Sequence, residues 1–188
     1  MNIVYGLRNV YYARSHGLHV PKYDKPVPIQ GAVSLALKSG SDFEIARSAD
    51  GTPGLMFPKV QVYSGEMRFN SLPTQFRIDI LNQVVENGTV CETGDGRTNE
   101  FALLCEFTCD KFNRRYVFYR CKTMFPNIES DTLADKVSVK GESLNFYVFR
   151  TLFNDGHKNY IDRYVANTPE TADIYNQWFN AVYLGGKI

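Results

Sequence analysis

Three groups of residues in this chain could do chemistry, and each is weighed first on its own terms. The four cysteines stand at 91, 105, 109 and 121. A spacing of four between Cys105 and Cys109 suggests a metal clip. In a strand, however, residues four apart point the same way and lie about 13 Å from one another, at about 3.3 Å per residue, too far to share one tetrahedral zinc. No histidine is near them in sequence, so they read as buried thiols in a reducing compartment. The three histidines, His16, His19 and His157, fall in turn-rich stretches. A Ser-His-Asp or Cys-His relay needs its members in hydrogen-bond contact, and no Gly-x-Ser-x-Gly elbow is present. The third group interleaves basic and aromatic residues: Lys111-Phe112-Asn113-Arg114-Arg115, then Tyr116, Phe118, Tyr119, Arg120 and Lys122. Single-strand nucleic-acid binders do this on a sheet face. The competing reading is a strand whose Arg120 and Lys122 meet acids of a neighbouring subunit.

Two short motifs carry less. Gly94-Asp95-Gly96-Arg97 lacks the Gly-Lys-Ser/Thr ending of a phosphate loop and the spaced acids of a calcium loop, so it reads as a tight turn. Asn87-Gly88-Thr89 matches a glycosylation sequon but reads as a turn that ends a helix. No catalytic residue, metal or cofactor is expected.

The composition narrows the function classes. Lys plus Arg number 21 and Asp plus Glu 20 in 188 residues, so neither a strongly basic nucleic-acid binder nor an acidic tail fits. With 44% hydrophobic residues the chain can bury one sizeable core, and a single domain over 1–188 is expected. Twelve Tyr and 13 Phe beside one Trp suit strands and large subunit interfaces. No apolar run approaches the length that spans a bilayer, so no membrane partner is expected. Met1-Asn2-Ile3-Val4-Tyr5 lacks a basic segment followed by a long apolar one, which points to synthesis and assembly in a cytoplasm.

The elements that must position these residues are mostly strands. Residues 3–13 alternate, with Gly6 marking a bulge or a close backbone approach. Residues 14–28 hold Gly17, Pro21, Pro26 and Pro28 and read as an arm. Residues 31–38 predict a strand with Val33, Leu35 and Leu37 on one face. Residues 39–60 form a long loop rich in turn signals, yet Phe43, Ile45, Leu55, Met56 and Phe57 argue against a purely solvated one. An extended hairpin that packs on a neighbouring subunit accounts for both properties. Strands follow at 60–63 and 65–71. Pro73 at a first helical position and Phe76, Ile80, Leu81, Val84 and Val85 predict a helix over about 73–86. Strands at 100–108 and 114–125 make a hairpin, with Phe101, Leu103, Cys105 and Phe107 on one face. A loop at 129–136, a β segment at 137–153, a turn at Asn154-Asp155-Gly156 and a short strand at 160–165 come next. A C-terminal helix over about 168–183 starts from Thr168 and Pro169 and carries Ile174, Trp178 and Val182 as its apolar stripe. The expected class is mainly β, sandwich- or barrel-like over 3–153, with one central helix and a C-terminal extension over 154–188.

The order of these pieces carries a resemblance. Val4-Tyr5-Gly6-Leu7-Arg8-Asn9-Val10-Tyr11-Tyr12-Ala13 comes first, then Pro26-Val27-Pro28-Ile29-Gln30-Gly31-Ala32-Val33 and the long loop. Ser64-Gly65-Glu66-Met67-Arg68-Phe69, a helix entered by Leu72-Pro73, and Phe101-Ala102-Leu103-Leu104-Cys105-Glu106-Phe107 follow. Arg115-Tyr116-Val117-Phe118-Tyr119-Arg120-Cys121 and Glu142-Ser143-Leu144-Asn145-Phe146 close the series. Over roughly residues 4–150 this resembles the major tail protein family of long-tailed, non-contractile bacteriophages. Residues 151–183 extend past the family's usual last strand.

The resemblance implies a tail-tube fold and a structural virion protein without enzyme activity. Six copies would form a ring, and stacked rings a tube that conducts genomic DNA in transit during ejection. Head-to-tail interfaces that close give rings, and pairing between copies consumes strand edges that are hazardous in a lone subunit. The implied partners are copies of itself and other tail proteins: tape measure, terminator and distal tail. Ring stacking would use the long loop, with Phe43, Ile45, Leu55, Met56 and Phe57, and the N-terminal arm, with Tyr5, Tyr11 and Tyr12. Glu66, Glu100, Glu106 and Glu142 would be candidates for an acidic lumen that repels phosphates. Two alternatives stand beside it: a tail terminator or completion ring, which forms one ring and does not polymerise, and a small β-sheet nucleic-acid binder built on 114–122.

Overall fold

The structure, a computed structural model, describes residues 4–17, 21–40, 43–47, 53–58, 62–109, 111–128, 141–153 and 159–185. The alternating runs become strands: β1 Val4–Arg14, β2 Val27–Pro28, β3 Ala32–Gly40, β4 Phe43–Arg47, β5 Pro53–Pro58 and β6 Val62–Phe69. Helix α1 spans Thr74–Asp79, and β7 Val84–Glu86, β8 Thr89–Cys91, β9 Phe101–Cys109 and β10 Arg114–Thr123 follow. The rest are β11 Asn127–Ile128, β12 Glu142–Phe149, β13 Thr151–Leu152, β14 Asn159–Tyr160, β15 Asp162–Ala166 and helix α2 Ala172–Gln177. The protein is mainly β, with antiparallel pairing and two short helices, as its alternation and aromatic content predict.

One nine-stranded sheet runs β2-β1-β9-β10-β12-β6-β3, with β11 paired to β12 and β15 to β10 off this path. It forks at β10, whose first half pairs β15 (Tyr116 opposite Tyr164) and whose second half pairs β12 (Lys122 opposite Tyr147). β1 and β3, from near the two ends of the order, touch, so the sheet curls over its inner face. That face carries Tyr12, Met67, Phe69, Phe101, Leu103, Leu144, Phe146 and Val148, and Phe76, Ile80 and Leu81 from α1 and the turn after it join the same core. β9 is buried on both faces. Its Ala102 and Leu104 turn outward with Val117 and Tyr119, and there Tyr175 and Trp178 of the C-terminal segment cover them. The C-terminal segment covers the outer face over β1, β9 and β10. Over β12, β6 and β3 no described residue of the C-terminal segment covers that face.

Local departures from the predicted elements have identifiable causes. Gly6 lies at a register shift in β1, and a Cβ there would meet Thr108 Oγ1 at 3.2 Å, which satisfies both expectations for it. A second shift, between Arg8 and Tyr11, accommodates Asn9 at φ 47°. In β3 a shift between Ala32 and Ser34 turns Val33 out to 57% exposure, while Leu35 and Leu37 keep the inner face.

The central helix is shorter than predicted. It ends at Asp79 rather than near 86, because Asn82 takes a left-handed conformation (φ 54°) that stops helical propagation. Pro73 caps the helix instead of opening its first turn. Val84 and Val85 are exposed strand residues of the β7–β8 hairpin, with Val85 opposite Val90. Asn87 and Gly88 (φ 49° and 79°) make the two-residue turn that such a hairpin prefers. This Asn-Gly is a hairpin turn rather than the expected helix stop, and the Val-rich flanks on both sides are the stronger hairpin signal.

The C-terminal helix is likewise one short turn, with Thr171 rather than Thr168 at its start. Thr171 Oγ1 donates to the carbonyl of Ala166 and its backbone to that of Thr168, so residues 168–171 form a turn leading out of β15. Of the expected stripe, Trp178 is fully buried and Ile174 and Val182 pack beside it. The predicted loop at 129–136 and the turn at 154–156 lie outside the described residues.

Candidate functional site

The long loop predicted at 39–60 contains a strand pair. β4 and β5 are antiparallel, with Phe43 opposite Pro58 and Ile45 opposite Met56. They continue the hairpin of β3 and β6, whose last pair is Gly40 opposite Val62, with the register displaced by one residue. The two-stranded unit pairs with no other strand among the described residues. At about 3.3 Å per residue, the five residues of β4 span roughly 15 Å. Phe43, Ile45, Leu55, Met56 and Phe57 all stand on these two strands.

The N-terminal tyrosines diverge. Tyr5 is 67% exposed at the start of β1, and its hydroxyl donates to the carbonyl of Cys109. Tyr11 stacks on Phe179 at 4.5 Å between centroids. Tyr12 is buried in the inner core, where its hydroxyl donates to Asp79 at 2.6 Å. Burial, then the hydrogen bond and charge of Asp79, push the Tyr12 hydroxyl well above the ordinary tyrosine range. Of the three, Tyr5 offers the largest free surface.

The four glutamates are each held by an arginine of the same subunit, and they do not share one face. Glu66 pairs with Arg68 at 2.9 Å on the open outer face. Glu100 accepts two hydrogen bonds from Arg120, at 2.8 and 2.9 Å. Glu106 is buried beneath the C-terminal segment between Arg115 (2.8 Å) and Asn9 (3.0 Å). Burial pushes its carboxyl up, but the bonds from Asn9 and Arg115 and the Arg115 charge outweigh that and hold it below the usual carboxylate range. Glu142 sits on the inner side, where it pairs with Arg77 and accepts from the backbone N–H of Leu72. It fixes the entry to α1.

The basic–aromatic run is largely turned inward. The Arg115 guanidinium lies over the rings of Tyr175 (3.8 Å) and Phe179 (4.7 Å) and donates to the carbonyl of Tyr175, so it clamps α2 to the sheet. Arg120 faces Glu100, an acid of its own chain rather than of a neighbour. Tyr119 is buried and donates to the carbonyl of Tyr183 at 2.7 Å. Tyr116 stacks between Phe118 and Tyr164, while Arg114 covers Tyr164. Lys122 and Phe112 remain on the surface.

The remaining chemistry-bearing residues do not converge. Cys105, Cys109 and Cys121 are buried thiols, and Cys91 is exposed on β8. Burial pushes the Cys105 and Cys121 thiols far above the ordinary range, which keeps them protonated and unreactive. His16 bonds Asp24 at 2.7 Å on the surface, and His19 and His157 lie outside the described residues. Among the described residues no cluster of three or more His, Cys, Asp or Glu could hold a metal ion, and no helix is long and apolar enough to cross a membrane. Glu66 and Arg68 share a face of one strand by their spacing of two, whereas the arginine partners of Glu100, Glu106 and Glu142 come from other elements, which residue spacing does not reveal.

No protein-family model matches the chain, and no curated protein matches it either.

Proposed function

We propose that this chain is a structural subunit that joins copies of itself into stacked rings, forming the tail tube of a long-tailed bacteriophage, and that it has no enzyme activity. The observation that carries the reading is the β4–β5 pair. It lies between β3 and β6 in the chain and pairs with no other strand among the described residues. A two-stranded hairpin is marginal in water, so such a pair is stabilised by seating on something else. A neighbouring copy supplies that seat in every subunit of a repeating assembly.

The second support is the outer edge of β3, nine residues long and at the end of the strand order. Edges of that length are rarely left bare, and pairing in a closed ring removes them. The resemblance in the order of motifs over 4–150 makes the assembly a tail tube with hexameric rings and a β-sandwich of tail-tube type as the finer form of the fold. Its location is then the virion, its partners are the other tail proteins, and genomic DNA passes through the lumen. A single-ring terminator is the runner-up.

Deleting residues 42–57 tests this reading. Gly40 and Val62 already face each other across the ladder, so the shortened connection can close as a turn. The variant should remain folded and fail to polymerise. Full-length tubes from the deletion variant would remove the hairpin from the assembly.

A further inference from the structure

The open part of the outer face holds a cross-strand row that the tube reading does not use. Lys38 on β3 stands opposite Ser64 on β6, Ser64 opposite Tyr147 on β12, and Tyr147 opposite Lys122 on β10. All four are exposed, Tyr147 at 47%. Neighbouring strands lie about 4.8 Å apart, so one ammonium sits one strand from the Tyr147 ring and the other two strands away on its far side. The rows beside it are Ala36–Glu66–Asn145 and Ser34–Arg68–Ser143, in which the Glu66 carboxylate is paired with Arg68. Phe149 lies 6.4 Å from Tyr147 on the same face, and the Arg120 guanidinium is 6.0 Å from the Phe149 ring.

We propose that this face binds single-stranded nucleic acid, with Tyr147 as the stacking platform and Lys122 and Lys38 as phosphate contacts. The argument is one of charge and shape complementarity. Neither lysine has a carboxylate partner among the salt bridges of the described residues. A tyrosine half exposed on a polar sheet face gains by covering its ring, and a base offers a face of matching size. Flanking cations then meet the backbone on both sides. A duplex hides its base faces, so it leaves the ring unused. The site shares only Lys122 with the basic–aromatic run over 111–122 that the sequence singles out, whose Arg115 and Arg120 are paired internally. It is independent of the assembly reading, because a lone subunit carries the whole row.

Fluorescence anisotropy with a labelled oligothymidylate of about 20 nucleotides, titrated with the purified chain from low to moderate salt, tests the proposal. Binding should weaken with salt at a log–log slope of about −1.4, from about −0.7 for each lysine–phosphate contact. Tyr147→Ala should weaken binding about tenfold, and Lys122→Glu should weaken it and flatten the slope by about 0.7. Lys111→Glu changes net charge equally at the far end of β10 and should have a much smaller effect. Circular dichroism checks that each variant is folded; all the substituted side chains are on the surface, so all should be. No binding at low salt overturns the proposal. So does equal loss from Lys111→Glu, or equal affinity for a duplex.

Discussion

Phe146 stands directly across the β6–β12 ladder from Gly65, and its ring fills the place where a side chain at 65 would begin. A Cβ added to Gly65 would lie 2.3 Å from Cζ of Phe146. The glycine lets a fully buried aromatic ring lie flat on the backbone of the neighbouring strand, inside the core that α1 also packs against. Gly65→Ala should therefore destabilise the subunit by about 1–3 kcal/mol through overpacking. A smaller ring partner should absorb the added methyl, so in Phe146→Leu the same change should cost less. Urea midpoints of the four-member cycle measure the coupling. An unchanged midpoint in Gly65→Ala would contradict this packing.

Acid should loosen the C-terminal segment. The carboxyl of Glu106 is held below its ordinary value in the folded state, so the unfolded chain binds the proton first as pH falls. Its contribution is fully present above the ordinary glutamate value of about 4.3 and disappears as pH drops through the lower folded value. Glu106→Ala should cost about 3 kcal/mol at neutral pH, because it leaves Arg115 under α2 without its carboxylate. The wild-type midpoint should fall toward that of the variant near pH 3.

Asp162 runs the other way. Burial raises its pKa, and the stability tied to its neutral form is lost as pH rises through the folded value. Asp162→Asn should raise the urea midpoint at pH 7 and leave it unchanged near pH 3. A lower midpoint at pH 7 would show that the ionised carboxylate is a stabilising group.

Trp178 is the chain's single tryptophan, and it reports on the outer core. It is fully buried, stacks on Tyr183 at 5.5 Å and donates from Nε1 to the carbonyl of Tyr116 at 3.3 Å. Its emission should be blue-shifted in the folded chain and move red on unfolding. Trp178→Ala should cost about 3–5 kcal/mol. A solvent-like emission maximum in the folded state would mean that residues 172–183 do not cover the sheet.

The strands were legible because β12 alternates buried and exposed residues and β9 and β10 are rich in aromatic and β-branched residues. Phe101, Leu103 and Cys105 share one core, and Leu144, Phe146 and Val148 join it, as period two requires. The two helices were over-extended for one reason. Val84, Val85 and Val182 continue a 3.6-residue pattern that a single backbone event interrupts, Asn82 in the first case and the turn after Gln177 in the second. Pairing register was the illegible part. It decides that Glu106 finds Arg115, that Glu142 reaches Arg77, and that Lys122 lines up with Tyr147 and Lys38. Arg115 looked like part of a nucleic-acid surface for the same reason. Spacing along one strand gives the face of a residue but not its cross-strand neighbours.

The most direct test of the central claim is negative-stain electron microscopy of the purified chain at high concentration in a virion-like buffer, with sedimentation on the same sample. The account predicts long hollow tubes of stacked rings that sediment as a polymer. Isolated rings would move the reading to a terminator, and a single-subunit particle at every concentration would contradict self-assembly altogether.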